Sequence, residues 1–194
     1  MMPGLWGAIC ALLWFVSGLC SASPGGSPGP VVNDLDGIPR HPLDPGQKLA
    51  SVLIFYWHDC PVCNSYAPEI SRIRASYTNF AFYIVQVDPD LNQAAAREHA
   101  WQYDLRAPAL LDPKHRLVEK AKATVTPEAV VLGRNGQLMY RGRIDDLYAS
   151  PGKKRAAPKQ HDLRDALDAI AARKPIMRRE TKAVGCLIQS SSSL

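Results

Sequence analysis

The 194-residue chain has no apolar run that reaches the roughly 20 residues of a comfortable membrane-spanning helix. It has only five cysteines, too few for a small domain held together by disulfides. It also lacks fixed repeats, a phosphate-binding loop, a GxGxxG dinucleotide motif and any nucleic-acid-binding motif. With 46% hydrophobic and 21% charged residues, the composition indicates one ordinary globular domain with extensions.

Positive charge is concentrated near the C-terminus. Residues 31–150 contain 13 Lys and Arg against 14 Asp and Glu, whereas residues 151–194 contain 10 against 4. A basic segment of this kind is either a solvated tail or a contact for an anionic membrane surface or an acidic partner.

The N-terminus has the features of a targeting segment. Leu5–Leu19 is almost entirely apolar and is followed by the small residues Ser21-Ala22-Ser23, although no Lys or Arg precedes it. This pattern predicts a signal peptide over residues 1–22 and a Gly/Pro/Ser-rich linker over residues 23–30. An uncleaved anchor and a lipoprotein attached at Cys20 are the alternatives. The expected location is a bacterial periplasm or cell envelope.

Residues 31–173 alternate between strand and helix patterns, which predicts an α/β domain with a central mixed β-sheet and helices on both faces. Residues 174–194 show no packed element from Pro175 onward and are expected to form a flexible basic tail. The expected elements are a hairpin around Asp36-Gly37, a buried strand at Ser51–Trp57, a helix from Pro61 to Ser76 kinked at Pro68, a strand at Phe80–Val87, a helix from Asp90 or Asn92 to Tyr103, a short strand at Ala109–Leu111, a helix opened by Asp112-Pro113 and reaching Ala123, a strand at Glu128–Leu132 with its return at Leu138–Arg143, a loop from Tyr148 to Gln160, and a helix capped by Asp162.

The chemistry is expected at Cys60-Pro61-Val62-Cys63, between a buried strand and a helix. A zinc site needs two such pairs, and this chain has one. The N–H groups and dipole at the helix N-terminus favour a thiolate at Cys60, which would make it the attacking nucleophile. Cys63, one turn further, would resolve the mixed disulfide. A static disulfide or an inert buried pair is the alternative.

The residues around this pair resemble those of the thioredoxin superfamily. Phe55–Cys63 resembles its active-site turn, with Pro68 five residues after the second cysteine, and Thr126-Pro127 before a strand resembles its cis-proline loop. The resemblance covers about residues 31–150. The opening hairpin and the extra helical segment before Pro127 resemble the redoxin branch, which includes alkyl hydroperoxide reductase/thiol-specific antioxidant relatives and exported thiol–disulfide oxidoreductases.

The resemblance implies an oxidoreductase that exchanges disulfides with protein thiols through a redox-active Cys60–Cys63 disulfide. It places a cis bond at Thr126-Pro127 against that disulfide, where the Thr126 backbone would present itself to a substrate strand. Pro61 and Val62 would help to set the redox potential. An electron donor or acceptor protein is implied, and neither a metal nor a cofactor beyond the cysteines is expected.

The sequence departs from thioredoxin near the cysteines. Ile54 stands where thioredoxins carry a buried acid, and Asp59 replaces the tryptophan before the first cysteine. His58 is therefore a candidate for proton transfer, with an exposed loop histidine as the alternative. Asp59 would oppose a thiolate at Cys60, whereas the helix terminus favours it.

Peroxidase activity and copper binding are the alternative functions. Peroxiredoxins place Thr or Ser three residues before the reactive cysteine and Pro further upstream. Trp57 and Leu53 occupy those positions here, so the peroxiredoxin pattern is absent. Sco-type copper chaperones use two cysteines separated by three residues and a distant histidine. Here only two residues separate Cys60 from Cys63, and His161 is the candidate for the distant histidine.

Cys186 is a third cysteine of the expected mature chain. It is predicted either to form a mixed disulfide with Cys60, to link to a partner, or to stay idle. The stretch Thr181–Cys186 resembles the end of redoxin modules that precede haem or copper domains in larger bacterial polypeptides.

Overall fold

The structure is a computed structural model that describes residues 29–189. The expected signal peptide, most of the linker and the serine-rich end at residues 190–193 lie outside these residues. Within residues 29–189, no helix combines the length and the apolarity needed to cross a bilayer.

A five-stranded mixed sheet forms the centre of the domain, as expected. Its middle strand, SVLIFY, is buried along its whole length because its β-branched and aromatic side chains pack on both faces. The strands are β1 (Val32–Asn33), β2 (Pro39–Arg40), β3 (Ser51–Tyr56), β4 (Ala81–Gln86), β5 (Ala109–Leu111), β6 (Val125–Thr126), β7 (Glu128–Leu132), β8 (Leu138–Gly142), β9 (Tyr148–Ser150), β10 (Lys153–Lys154) and β11 (Cys186–Leu187). The spatial order of the sheet is β5-β4-β3-β7-β8, with β3, β4 and β5 parallel and β7 and β8 antiparallel to their neighbours.

The longest helix of the described residues follows the middle strand. It has Pro61 in its first turn, where a missing N–H is tolerated, and it continues through Pro68. Its buried side chains are spaced three or four residues apart, apart from one adjacent pair, so that they lie on one face. The helices are α1 (Pro61–Ser76), α2 (Gln93–Gln102), α3 (Arg116–Ala121) and α4 (Asp162–Ala171), with a short 3₁₀ turn at Arg134–Gly136.

Two apolar clusters cover the two faces of the sheet. One contains the buried residues of α1, α2 and α4, including Ile70, Ala96 and Leu167. The other contains those of α3, including Leu117. The predicted α/β architecture with helices on both faces is therefore confirmed.

Three predicted features differ from the structure. Asp162 does not cap the last helix: it is the first residue of α4, and His161 is the N-cap residue. The third helix does not begin at Pro113, because His115 adopts a left-handed conformation and its ring contacts the Val87 carbonyl at 2.7 Å. Asp112 still caps the helix, since it accepts hydrogen bonds from the N–H groups of Leu117 and Val118 across this extra turn. The predicted loop after Tyr148 contains a short hairpin of β9 and β10.

The prediction that nothing packs after Pro175 is wrong. Residues 179–188, which we call the C-terminal strap, run along the edge of β8 and then pair with β6. Thr181 donates its N–H to the Arg141 carbonyl, and its hydroxyl lies 2.7 Å from the hydroxyl of Tyr140. Amino-acid composition does not predict this backbone pairing, because the pairing depends on a partner strand that is distant in the sequence.

Arginines of the basic segment take part in this packing. Arg178 forms an ion pair of 3.3 Å with the buried carboxylate of Asp162, and Arg179 donates to the Leu138 carbonyl at 2.7 Å. Lys153 and Lys154 are instead exposed. The segment is thus partly a packed element and partly a solvated basic surface.

We expect Tyr66→Phe to lower the free energy of unfolding by about 1–3 kcal/mol, because it removes a donor from a buried acceptor. The Tyr66 hydroxyl donates to the buried Asp145 carboxylate at 2.7 Å and so ties α1 to the loop after β8. Urea denaturation measures the change.

Tyr77→Phe is the matched control, since the Tyr77 hydroxyl makes the same kind of bond to Asp168 at an exposed position. Its effect is expected within about 0.5 kcal/mol. Equal effects of the two variants would contradict a structural role for the buried pair.

Candidate active site

The end of β3 places the reactive cysteine at the start of α1. Cys60 is the N-cap residue of that helix, and its own N–H donates to the Trp57 carbonyl at 3.0 Å. Among residues 29–189, no side chain caps this helix terminus. The free N–H groups of the first turn and the helix dipole therefore act on the Cys60 sulfur, where they stabilise negative charge.

Cys60 is covalently bonded to Cys186 of the C-terminal strap. The structure therefore has a Cys60–Cys186 disulfide, one of the three alternatives for Cys186, in place of the expected Cys60–Cys63 disulfide. The physical reason is strand pairing. Cys186 is paired opposite Thr126 in an antiparallel arrangement, and the Thr126 carbonyl oxygen lies 3.6 Å from the Cys60 sulfur.

Cys63 is a free thiol with no exposed surface. Burial raises its pKa from 9.0 to about 12, since an apolar environment disfavours the thiolate. Hydrogen bonds from the Trp57 backbone and the Thr126 side chain act in the opposite direction and lower the pKa. The thiol is therefore protonated at neutral pH in this disulfide state.

The loop between β6 and β7 faces the cysteines. The Thr126–Pro127 peptide bond is cis, as the resemblance implied, and both residues are buried. The Thr126 hydroxyl donates to the Cys186 carbonyl at 3.3 Å. Thr126 thus contacts Cys60 through its carbonyl and Cys186 through its hydroxyl.

His58 lies between two carboxylates. Its ring nitrogens are 3.3 Å from Asp59 and 3.2 Å from Asp88, and its side chain is 23% exposed. The Asp59 carboxylate beside Cys60 is therefore engaged by an imidazole, which offsets its charge when His58 is protonated. The structure places a half-buried His58 ring between these two carboxylates and not in a fully exposed loop.

A polar network behind the cysteines was not predicted. Asn64 accepts from the Tyr56 hydroxyl at 2.8 Å, lies 3.0 Å from a His99 ring nitrogen and donates to the His58 carbonyl at 2.9 Å. Burial lowers the pKa of His99, and the neighbouring His58 lowers it further. The only signal in the sequence was that Asn64 directly follows the second cysteine.

The other predicted supporting residues lie between the two cysteines or just before them. Pro61 is exposed and Val62 is half-buried at the start of α1. Trp57 is half-buried, and its ring N–H is buried without a partner. These residues surround the sulfurs without adding a charged group to them.

Metal-ligating side chains do not converge in the described part of the chain, where no group of three His, Cys, Asp or Glu side chains is placed to hold an ion. His161 lies exposed at the start of α4.

Comparison with known proteins assigns the fold and the cysteine pair to a family. The AhpC/TSA family matches residues 43–141, just over half of the chain, and this region includes both cysteines of the CxxC pair and the Thr126–Pro127 loop. The chain belongs to the AhpC/TSA family. The family's match ends before the C-terminal strap, so Cys186 is an addition to the matched region.

One curated relative is the thiol–disulfide oxidoreductase YkuV of Bacillus subtilis, which is 25% identical over 93 residues. The match covers 45% of this chain and 63% of YkuV, so the chain spans less than two thirds of that relative.

Among solved structures, an uncharacterized conserved protein of Geobacillus kaustophilus superposes with a TM-score of 0.73 at 22% identity, covering 88% of this chain and 94% of that one. A secreted Mycobacterium tuberculosis disulfide oxidoreductase homologous to E. coli DsbE superposes with a TM-score of 0.52 at 20% identity, covering 73% and 94%. These similarities establish a thioredoxin-like fold.

We expect iodoacetamide to leave Cys63 unlabelled in the native oxidised protein at pH 8, because the thiolate is the reactive form and the pKa of this thiol is about 12. In urea at the same pH the residue should label readily. Peptide mapping by mass spectrometry identifies the labelled cysteine, and Cys63→Ser serves as the control.

The same shift gives a stability trend. The pKa of Cys63 is higher in the folded protein than its ordinary 9.0, so its contribution to stability is complete below pH 9 and declines as the pH rises towards 12. Rapid labelling of native Cys63 at pH 8 would contradict both expectations.

Proposed function

We propose that the protein is an exported thiol–disulfide oxidoreductase that exchanges disulfides with protein thiols. The observation that supports this most directly is Cys60 itself, which caps α1, lies against the cis-proline loop and is already joined to another cysteine. The similarity to YkuV, itself named a thiol–disulfide oxidoreductase, supports the same activity.

In the reducing direction, the Cys60 thiolate attacks one sulfur of a substrate disulfide. A bond forms between Cys60 and that sulfur, the substrate disulfide breaks, and the second substrate sulfur leaves as a thiolate that takes up a proton. Cys63 then loses its proton and attacks the Cys60 sulfur. The substrate leaves with two thiols, and the Cys60–Cys63 disulfide stores the oxidation.

The oxidising direction is the same sequence in reverse, and the potential of the cysteine pair decides which direction prevails. Cys63 needs a proton acceptor in the second step, because burial keeps it protonated. His58 and water are the proposed acceptors, since Ile54 stands where thioredoxins carry a buried acid.

The cysteines are proposed to work without a metal or an organic cofactor, with an electron donor or acceptor protein completing the cycle. We place the protein in a bacterial periplasm or envelope because of the apolar segment and small residues at the N-terminus. The exposed lysines of β10 are the proposed contact for an anionic membrane surface.

The redox potential tests the activity. We expect Cys186→Ser to form a reversible Cys60–Cys63 disulfide in glutathione buffers, with a potential between about −270 mV, as in thioredoxin, and about −120 mV, as in a strong disulfide oxidant. A protein whose reduced form is stabilised is a stronger oxidant. If the helix N-terminus stabilises the Cys60 thiolate more than thioredoxin stabilises its own, the potential will therefore lie above that of thioredoxin.

Cys63→Ser in the same background is the control, since it can form only mixed disulfides with glutathione. The proposal fails if Cys186→Ser is folded and neither forms an intramolecular disulfide nor exchanges with glutathione disulfide.

Export is tested by expressing the full chain in a bacterium and measuring the mass of the protein in each fraction. We expect a periplasmic species that lacks residues 1–22. A full-length species in the membrane fraction would instead support the uncleaved anchor.

A further inference from the structure

The C-terminal strap lies where a substrate strand would pair with the active site. Antiparallel pairing places Cys186 opposite Thr126 and Leu187 opposite Val125, and the Ile188 N–H donates to the Thr124 carbonyl at 3.0 Å. The strap therefore uses the backbone edge that directly precedes the cis-proline. Pairing of an extended segment with an exposed strand edge is a general mode of peptide recognition.

Gly185 fits this edge because it has no side chain. A Cβ atom at this position would lie 1.9 Å from the Thr126 carbonyl oxygen and 3.2 Å from the Pro127 ring. Both are parts of the backbone framework of the loop, so neither can rotate away. The position before the cysteine is thus restricted sterically, whereas Leu187 after it is 72% exposed and meets no such restriction.

We propose that the strap is a tethered substrate strand, and that Cys186 is a third redox-active cysteine that Cys63 displaces from Cys60. This inference rests on the proposed function, and it adds a substrate class. The preferred partner is an extended protein segment in which glycine immediately precedes the reactive cysteine.

The exchange balances without an external oxidant. Cys63 gives up its proton and its sulfur attacks the Cys60 sulfur; the Cys60–Cys186 bond breaks while a Cys60–Cys63 bond forms. Cys186 leaves as a thiolate and takes up one proton. One disulfide and one thiol are present before and after the step.

Thr126 also holds the strap through its side chain. Its hydroxyl donates to the Cys186 carbonyl at 3.3 Å. Departure of the strap therefore breaks this side-chain hydrogen bond as well as the backbone pairing of Cys186 and Leu187 with β6.

Disulfide mapping of the full chain in glutathione buffers tests the tethered state. We expect wild type to contain mainly Cys60–Cys186 with Cys63 free. Gly185→Val should lower the ratio of Cys60–Cys186 to Cys60–Cys63 at least about tenfold, because the strap then loses the hydrogen bonds of its pairing with β6. Leu187→Val, which places the same side chain on the other side of the cysteine, should behave as wild type.

A peptide assay tests the substrate class without changing the groove. The oxidised Gly185→Val, Cys186→Ser protein, in which the added side chain keeps the protein's own strap off the edge, is mixed with a reduced peptide of sequence Thr181–Gln189. Formation of the peptide–Cys60 mixed disulfide is followed by mass spectrometry. A peptide with valine in place of Gly185 should react at least about tenfold more slowly, and one with valine in place of Leu187 should react as the parent does.

The outcomes separate the two proposals. Equal rates for all three peptides, or an unchanged Cys60–Cys186 fraction in Gly185→Val, would overturn the tethered-substrate inference while leaving the oxidoreductase activity intact. A wild-type protein with free Cys186 and a Cys60–Cys63 disulfide would do the same. Absence of any exchange at Cys60 in folded protein would overturn the proposed function itself.

Discussion

Burial of β3 on both faces is the constraint on which the active site depends. A strand whose six side chains are all buried cannot slip by one residue without moving every side chain to the opposite face. Its end is therefore fixed, and so is the start of α1 that follows. The pairing of Phe55 with Glu128 fixes β7 beside it, which holds the Thr126–Pro127 loop against the same edge.

The site that results has one residue at its centre. Thr126 contacts Cys60 through its carbonyl and Cys186 through its hydroxyl, and it is also the residue whose backbone pairs with the strap. Cys60 and Cys186 are joined beside Thr126, while Cys63 lies one turn into the helix as a protonated thiol. The thioredoxin-like fold thus places Cys60 at the start of α1, and the C-terminal strap determines which sulfur is bonded to it.

The sequence predicted the parts of this arrangement that depend on local patterns. Apolar runs located the central strands, α1 was predicted at its observed bounds, and the CxxC pair and Thr126–Pro127 were recognised by their spacing. The strap was missed because its order comes from pairing with Val125–Thr126, about sixty residues away, and because its arginines appeared to be a solvated tail. The network around Asn64 was missed for a similar reason, since Tyr56, Asn64 and His99 come from three separate elements.

The bond between Cys60 and Cys186 also closes a covalent ring, because the two residues are 126 positions apart. Most of the domain lies inside that ring. A single proteolytic cut anywhere within it leaves two pieces that stay joined. Tension applied to the two chain ends passes through β3 and the sulfurs, and it bypasses the elements from α1 to β10. While Cys60 is bonded to Cys186, the redox-active disulfide therefore also carries mechanical load, and its exchange for a Cys60–Cys63 bond opens the ring.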